Sequence, residues 1–243
     1  MSDTIVQDYW NERAVVRREA ARSGAITFAE RLAWRDVLRR HLDSAGKMVR
    51  ILDVGCGCGV LPAIFVGRQY KYTGVDRSSG LLDVARQRAE EAGYAAQFVE
   101  SDVNKLDFPN AAFDAVIALN VLSLMARPRV ALTEWARVLK PGGRLIVVED
   151  DYASADFPPY QQHQIRTSDS PFEQAYQQTI ATRPLWQATA GEIEKVMRLD
   201  DHWQTITQSA AMGQLLRKGR NGLTNYALGY QLITATKGGS ISL

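Results

Sequence analysis

The sequence predicts an α/β protein, a mostly parallel sheet with helices on both faces. Three observations carry that prediction. Between residues 49 and 150, five short apolar runs alternate with segments of helical character. The runs are continuously apolar, as strands buried on both faces must be. The first run stops at a cluster of glycines and the second at Asp76, the punctuation expected at the carboxyl edge of such a sheet.

Residues 1–48 read as a helical, arginine-rich zone. Asp8 is the candidate cap of a first helix through Trp10 and Val16. Thr27 and Glu30 stand at capping-box spacing. Phe28, Leu32, Val37, Leu38 and Leu42 then recur at helical spacing, and Arg31, Arg35 and Arg39 between them read as a solvated face. Val49-Arg50-Ile51-Leu52-Asp53-Val54 is the first strand, and its glycine turn is expected to open a helix. Tyr72-Thr73-Gly74-Val75 is the second strand. Ser78 or Ser79 caps a helix through Leu82, Ala85 and Ala89 that Gly93 ends. Ala96-Gln97-Phe98-Val99 and Ala115-Val116-Ile117-Ala118-Leu119 are the third and fourth strands. Pro128 opens a helix running to Leu139, Pro141-Gly142-Gly143 breaks it, and Leu145-Ile146-Val147-Val148 is the fifth strand. From about residue 151 to 188 the chain is polar, Gln-rich and dotted with aromatics, too long for an ordinary connection and read as an insertion that binds substrate. Thr189, with Glu192 three residues on, caps a helix to Leu199. Stretches 203–207 and 230–236 read as closing strands that pair antiparallel at one edge.

Composition narrows the function. Lys and Arg number 29 and Asp and Glu 27, a net charge of +2 that advertises neither nucleic acid nor an anionic membrane. Cys56 and Cys58 are one residue apart, with no further Cys or nearby His to complete a zinc set, so no metal is expected and both read as small, reduced loop residues. No stretch approaches the roughly 20 apolar residues of a membrane helix, and none resembles a leader, so the expected location is the cytoplasm.

The segment richest in chemistry is Asp53-Val54-Gly55-Cys56-Gly57-Cys58-Gly59. Glycines there let backbone approach a ligand closely. Asp76, ending the next strand, can accept both hydroxyls of a ribose. A dinucleotide fingerprint would place glycine three residues after Gly57, where Val60 stands. Asp53 is badly placed for a pyrophosphate and well placed for an ammonium group, so the ligand reads as a phosphate-free, cationic nucleoside.

These residues resemble the first motif of the class I S-adenosylmethionine-dependent methyltransferases. In order, Gly74-Val75-Asp76-Arg77-Ser78, Glu100-Ser101-Asp102-Val103, Phe113-Asp114-Ala115-Val116 and Val138-Leu139-Lys140-Pro141-Gly142-Gly143 resemble further motifs of that family. The resemblance implies a Rossmann-like, seven-stranded, mostly parallel sheet with the last strand antiparallel, and S-adenosyl-L-methionine as cofactor. It implies that Asp53 with the backbone of Gly55, Cys56 and Gly57 holds the methionine portion and that Asp76 binds the ribose. Arg77 would flank adenine, Asp102 would accept the adenine amino group beside Val103, and Leu119 and Asn120 would line the reactive end. Asp8-Tyr9-Trp10-Asn11-Glu12-Arg13 resembles a helix that closes over the cofactor in one branch, with Tyr9 and Arg13 on the methionine carboxylate. Residues 1–48 are then a helical cap and 49–243 the methyltransferase domain. Cys58 departs from the Thr or Ser of many relatives.

Simpler roles stand beside these. Asp53 can merely cap a helix, Asp76 and Asp102 can be turn acids, and Arg13 can form a surface ion pair. Tyr152, Tyr160, His163, Arg183 and Trp186 are the substrate-pocket candidates, with His163 the one candidate base. His41 and His202 read as structural. A hydroxyl acceptor generally needs a base and a neutral nitrogen does not, which points toward nitrogen. The expected activity is methyl transfer to N or O of a small molecule, as in natural-product biosynthesis. The alternatives are a peptide or protein amine as acceptor and a non-catalytic cofactor-binding regulator. The oligomeric state stays open.

Overall fold

A computed structural model of the chain describes residues 2–24, 28–42, 47–65, 69–150, 172–209 and 230–238. Seven strands form one sheet: β1 (Val49–Val54), β2 (Tyr70–Asp76), β3 (Ala96–Glu100), β4 (Phe113–Leu119), β5 (Leu139–Asp150), β6 (Trp203–Ser209) and β7 (Tyr230–Lys237). Their order is β3-β2-β1-β4-β5-β7-β6. The first five are parallel, and β7 runs antiparallel between β5 and β6. The chain winds outward from β1 to β3 and then returns beside β1 as β4. That reversal opens a crevice beyond the carboxyl ends of β1 and β4, where open α/β sheets bind ligands.

The described helices are α1 (Ser2–Gly24), α2 (Phe28–His41), α3 (Ser79–Ala92), α4 (Pro128–Val138), α5 (Glu173–Ile180) and α6 (Ala190–Arg198). The caps read from sequence form as expected. The Ser78 hydroxyl accepts from the Leu81 amide, Gly93 closes α3 in the left-handed conformation, and Thr189 and Glu192 make a full capping box. Each face of the sheet carries its own core. Leu52, Val116, Leu145 and Val147 meet α4 and α6 through Leu132, Trp135, Ile193 and Met197. Ile51, Tyr72, Ile117 and Ile146 meet α2 through Trp34, Val37 and Leu38. Trp135 is fully buried, and its indole donates to the Val103 carbonyl at 3.0 Å. Truncating such a side chain costs about 3–5 kcal/mol.

Three sequence expectations change. The first helix begins at Ser2, not at Asp8, because Ile5, Val6, Tyr9 and Trp10 already form its buried face. The glycine turn leads only to a short 3-10 turn, Leu61–Ile64, with Pro62 near its start. The fifth strand starts at Leu139 and carries Pro141-Gly142-Gly143 within it as an irregularity, its register stepping from Phe113↔Leu139 to Ala115↔Arg144. A bulge is where a strand tolerates proline. The crossover 101–112 from β3 to β4 contains no helix. The strip of β2 and β3 on the α4 side therefore borders an open groove of about 310 Å³, lined by Arg50, Lys71, Thr73, Gln97 and Phe113 among others. Among the described residues no helix is long and apolar enough to cross a membrane. The capping box expected at Thr27 lies outside the described residues.

Candidate functional site

The crevice is built from the ends of β1, β2, β3 and β4. After Val54 the chain turns through Gly55 and Gly57, both at positive φ (68° and 52°). A Cβ on Gly55 would collide with Val121 of the loop after β4, so glycine is required there for packing as well as conformation. The Cys56 amide donates to the Val75 carbonyl at 3.0 Å, tying this turn to β2. The Cys56 thiol is buried, which pushes its pKa well up and leaves it an inert packing group.

Two acids frame the turn. Asp53 is 2% exposed. One of its oxygens accepts from the Tyr72 hydroxyl, and the other, Oδ1, is buried with no partner. Burial drives its carboxyl up to about 7, the Tyr72 bond holds it down in part, and the neighbouring Asp76 pushes the same way as burial. Asp76 accepts the Gly57 amide on one oxygen and the Ser78 amide on the other, each at 2.9 Å. Each oxygen keeps a lone pair for a hydroxyl group. Burial raises Asp76 above the usual carboxylate range, and the amides from Ser78, Gly57 and Arg77 offset part of that rise. An unpartnered buried carboxylate oxygen beside a glycine turn fits an ammonium group, and Asp76 fits a vicinal diol. The residues present thus suit S-adenosylmethionine, the cofactor that the motifs imply.

The far end of the crevice is arranged differently. Asp102 accepts the Asn104 amide and side chain on Oδ1, at 2.9 and 2.8 Å. Its Oδ2 pairs with Arg77 at 3.3 Å. Burial pushes the Asp102 carboxyl up, but the Asn104 bonds and the charges of Arg77 and Arg127 outweigh it and hold it below the usual range. Val103 is buried beneath. Beyond β4, Asn120 sits at φ 54°, its amide on the Val148 carbonyl. Glu149, 2% exposed at the end of β5, accepts the amides of Val121, Leu122 and Ser123 and the Ser123 hydroxyl, fixing that loop.

Helix α1 walls the crevice. Asn11 accepts from the Ser78 hydroxyl at 2.6 Å, and Gln7 donates to the Arg77 carbonyl at 2.8 Å. Tyr9 stacks on Tyr176 of α5, with ring centroids 3.7 Å apart, and Trp10 meets both rings edge-on. Arg13 donates to the Tyr9 hydroxyl at 3.0 Å and pairs with Glu173 at 3.3 Å. Burial raises Tyr9 to about 12, so it stays protonated.

The structure thus brings Asp53, Gly55, Cys56, Gly57, Asp76, Arg77, Asp102, Val103, Leu119 and Asn120 to one edge, with Tyr9 and Arg13 on the wall. Arg183 lies beside α1. It is buried, and its guanidinium pairs with Asp3 of α1 at 2.8 Å. Trp186 packs against the Tyr9–Tyr176 cluster. Tyr152, Tyr160 and His163 lie outside the described residues. Tyr72, Glu149, Tyr176 and Glu173 were missed. An acid closing the apolar run of β5 was a readable signal for Glu149. A tyrosine inside a buried strand, one turn of the pleat from Asp53, was one for Tyr72.

Comparison with known proteins agrees with this geometry. Residues 52–147 match the family model described as a methyltransferase domain. The demethylmenaquinone methyltransferase of Thermus thermophilus is 38% identical over 128 residues, 51% of this chain and 57% of that protein. The phosphatidylethanolamine N-methyltransferase of Cereibacter sphaeroides is 34% identical over 110 residues, 44% of this chain and 53% of that one. The chain spans about half the length of the curated relatives it matches. Among solved structures, that of the 4+2 cyclase SpnF shares the fold with a TM-score of 0.62 at 22% identity, over 96% of both chains. The motif-bearing stretch, the strand order and the crevice acids agree: residues 52–147 form a methyltransferase domain on a seven-stranded Rossmann-like sheet, similar to the class I S-adenosylmethionine-dependent methyltransferases.

Proposed function

We propose that this protein binds S-adenosylmethionine across the carboxyl edge of the sheet and transfers its methyl group to a nitrogen or oxygen of a small molecule, as in the making of a natural product. The observation that carries the reading is the buried, unpartnered Oδ1 of Asp53 beside the glycine turn, one strand from Asp76. Asp53 takes the ammonium group, and the backbone of Gly55, Cys56 and Gly57 follows the methionine chain. Asp76 takes the ribose hydroxyls. Arg77 and Asp102 meet the adenine beside Val103, and Leu119 and Asn120 face the reactive end. Arg13, held by Tyr9 and Glu173, would meet the methionine carboxylate.

When bound, the cofactor supplies a methyl group already activated on a sulfonium. The protein's part is then alignment and exclusion of water. The Glu149 clamp fixes the loop against which the acceptor must lie, and α1 with its aromatic stack shields the crevice. The small, lipid-like and ring-bearing acceptors in the relatives' names support a small-molecule acceptor. Reduced Cys56 and Cys58 suit a cytoplasmic location.

The test is calorimetric titration of S-adenosylmethionine and S-adenosylhomocysteine into wild type and Asp76→Ala. Wild type binds both, and the variant loses at least about tenfold because two charge-assisted hydrogen bonds go with the carboxylate. Folded wild type that binds neither ligand overturns the reading. With binding in hand, labelled-methyl screening of small amines and phenols against peptide amines identifies the acceptor, and a peptide product would replace the small-molecule assignment.

A further inference from the structure

We propose that Tyr72 is a positioning residue for the cofactor: its buried hydroxyl orients the Asp53 carboxylate and keeps it available as an anion for the ammonium group, which makes cofactor binding proton-linked near neutral pH. This rests on the reading of Asp53 given above and adds a residue to it.

The strand register explains the contact. Asp53 lies opposite Gly74 on β2 and Ile117 on β4. Gly74 has no side chain to fill the space beside the carboxylate, and a Cβ there would meet the Cys56 sulfur at 2.7 Å. The Cys56 side chain and Phe98 fill the space over Gly74, and Tyr72, two residues earlier on the same face of β2, reaches Asp53 with its hydroxyl, which donates to Oδ2. Oδ1 is left buried and without a partner. One oxygen is thus used to set the angle of the group and the other is reserved.

The charges around the pair explain the proton linkage. Facing Asp53 are Tyr72 from β2, Asp76 from the end of β2 and the Cys56 thiol from the glycine turn. Tyr94 adds to the field at Tyr72. None of these is a cation, and burial together with Asp76 favours the protonated acid. Among the described residues, the Tyr72 hydroxyl, itself held protonated far above neutrality by burial and by Asp53, is the one side-chain donor that opposes them. An incoming ammonium needs the carboxylate form, so any Asp53 that carries a proton in the free protein must give it up on binding.

Binding of S-adenosylhomocysteine to the full chain is measured from about pH 6 to about pH 9 for wild type, Tyr72→Phe and Asp53→Asn. Comparing variants at equal pH cancels the ligand's own ionisation. Tyr72→Phe is expected to bind about tenfold more weakly than wild type at the acid end, with the gap closing as pH rises and Asp53 ionises in both. A pH-independent gap would mean that the hydroxyl does not set the protonation of Asp53, and no gap would mean that the hydroxyl is idle; either overturns the proposal. If Asp53→Asn binds as wild type does, the reading of Asp53 itself falls. If Asp53→Asn is weakened while Tyr72→Phe is not, only the present inference falls. A measurement on wild type alone guards against a misfolded variant. Titrations near neutral pH in buffers of differing ionisation heat should show net proton release on ligand binding, and no release overturns the proposal.

Discussion

The two ends of the crevice treat their carboxylates in opposite ways. At the β1 end Asp53 is buried with no cation beside it among the described residues, one oxygen unpartnered, and its carboxyl is pushed up to about 7. At the β3 end Asp102 is more than a third exposed, paired with Arg77 and doubly bonded to Asn104, and its carboxyl is pulled down. The first end costs the folded protein stability until a cation arrives; the second is already satisfied. A ligand that spans both therefore gains most of its free energy at the β1 end, where it removes a penalty, and little at the β3 end, where it trades one partner for another.

The largest effect should come from Asp53→Asn. Affinity for the cofactor falls about a hundredfold, the scale of removing one member of a buried charge pair. The free protein moves the other way. A folded-state pKa above the unfolded value means that the native chain keeps a proton between about pH 4 and pH 7 that the unfolded chain has lost. The stability this acid contributes is present at low pH and is lost as pH rises through about 7. The amide has no such loss. Near pH 8 the variant should melt higher by about 2–6 °C, and the two melting curves should converge in acid. A variant that binds weakly and also melts lower at pH 8 would show that Asp53 is a structural capping group.

A smaller effect tests the turn that presents Asp53. Gly55→Ala places a Cβ at φ 68° and against Val121. The left-handed conformation costs about 1–2 kcal/mol and the crowding about 1 more, so urea unfolding should report a loss of about 2–3 kcal/mol. Affinity should fall about tenfold, because the turn and the Glu149-clamped loop shift together. Gly57→Ala meets nothing within 4 Å, so it should show the conformational cost without the collision. Equal losses for the two would remove Val121 from the account.

This contrast was half legible in the sequence. The strands from 49 to 148, the caps at Ser78 and Thr189 and the carboxyl-edge acids follow from local rules, because apolar runs, capping side chains and glycine turns act over a few residues. That Asp53 and Asp102 would differ in partners could not be read, since Tyr72 reaches Asp53 through the pleat of a neighbouring strand and Arg77 reaches Asp102 across 25 residues. Arg183 shows the same limit. Its partner, Asp3, is 180 residues away, so the tie it makes to α1 could not be read locally. Glu149 is bonded to a loop 26 to 28 residues earlier, so only the folded sheet reveals its use.

The smallest effect belongs to Arg77. Its guanidinium lies between Asp102 at 3.3 Å and Asp3 at 3.7 Å, with its side chain and both carboxylates more than a third exposed. Pairs that open to solvent are worth less than about 1 kcal/mol and fade with salt. Arg77→Ala should therefore change cofactor affinity by less than about threefold, reduce the salt dependence of binding and let the Asp102 carboxyl rise toward its ordinary value. Helix α1 should stay docked, because Arg183 still holds Asp3 and the Tyr9–Tyr176 stack is untouched. Titrations at two salt concentrations on wild type and variant decide the point. A tenfold loss that persists in high salt would mean that the guanidinium plane stacks on the adenine, and it would move a large share of the binding free energy to the β3 end, where the resting structure shows only satisfied charges.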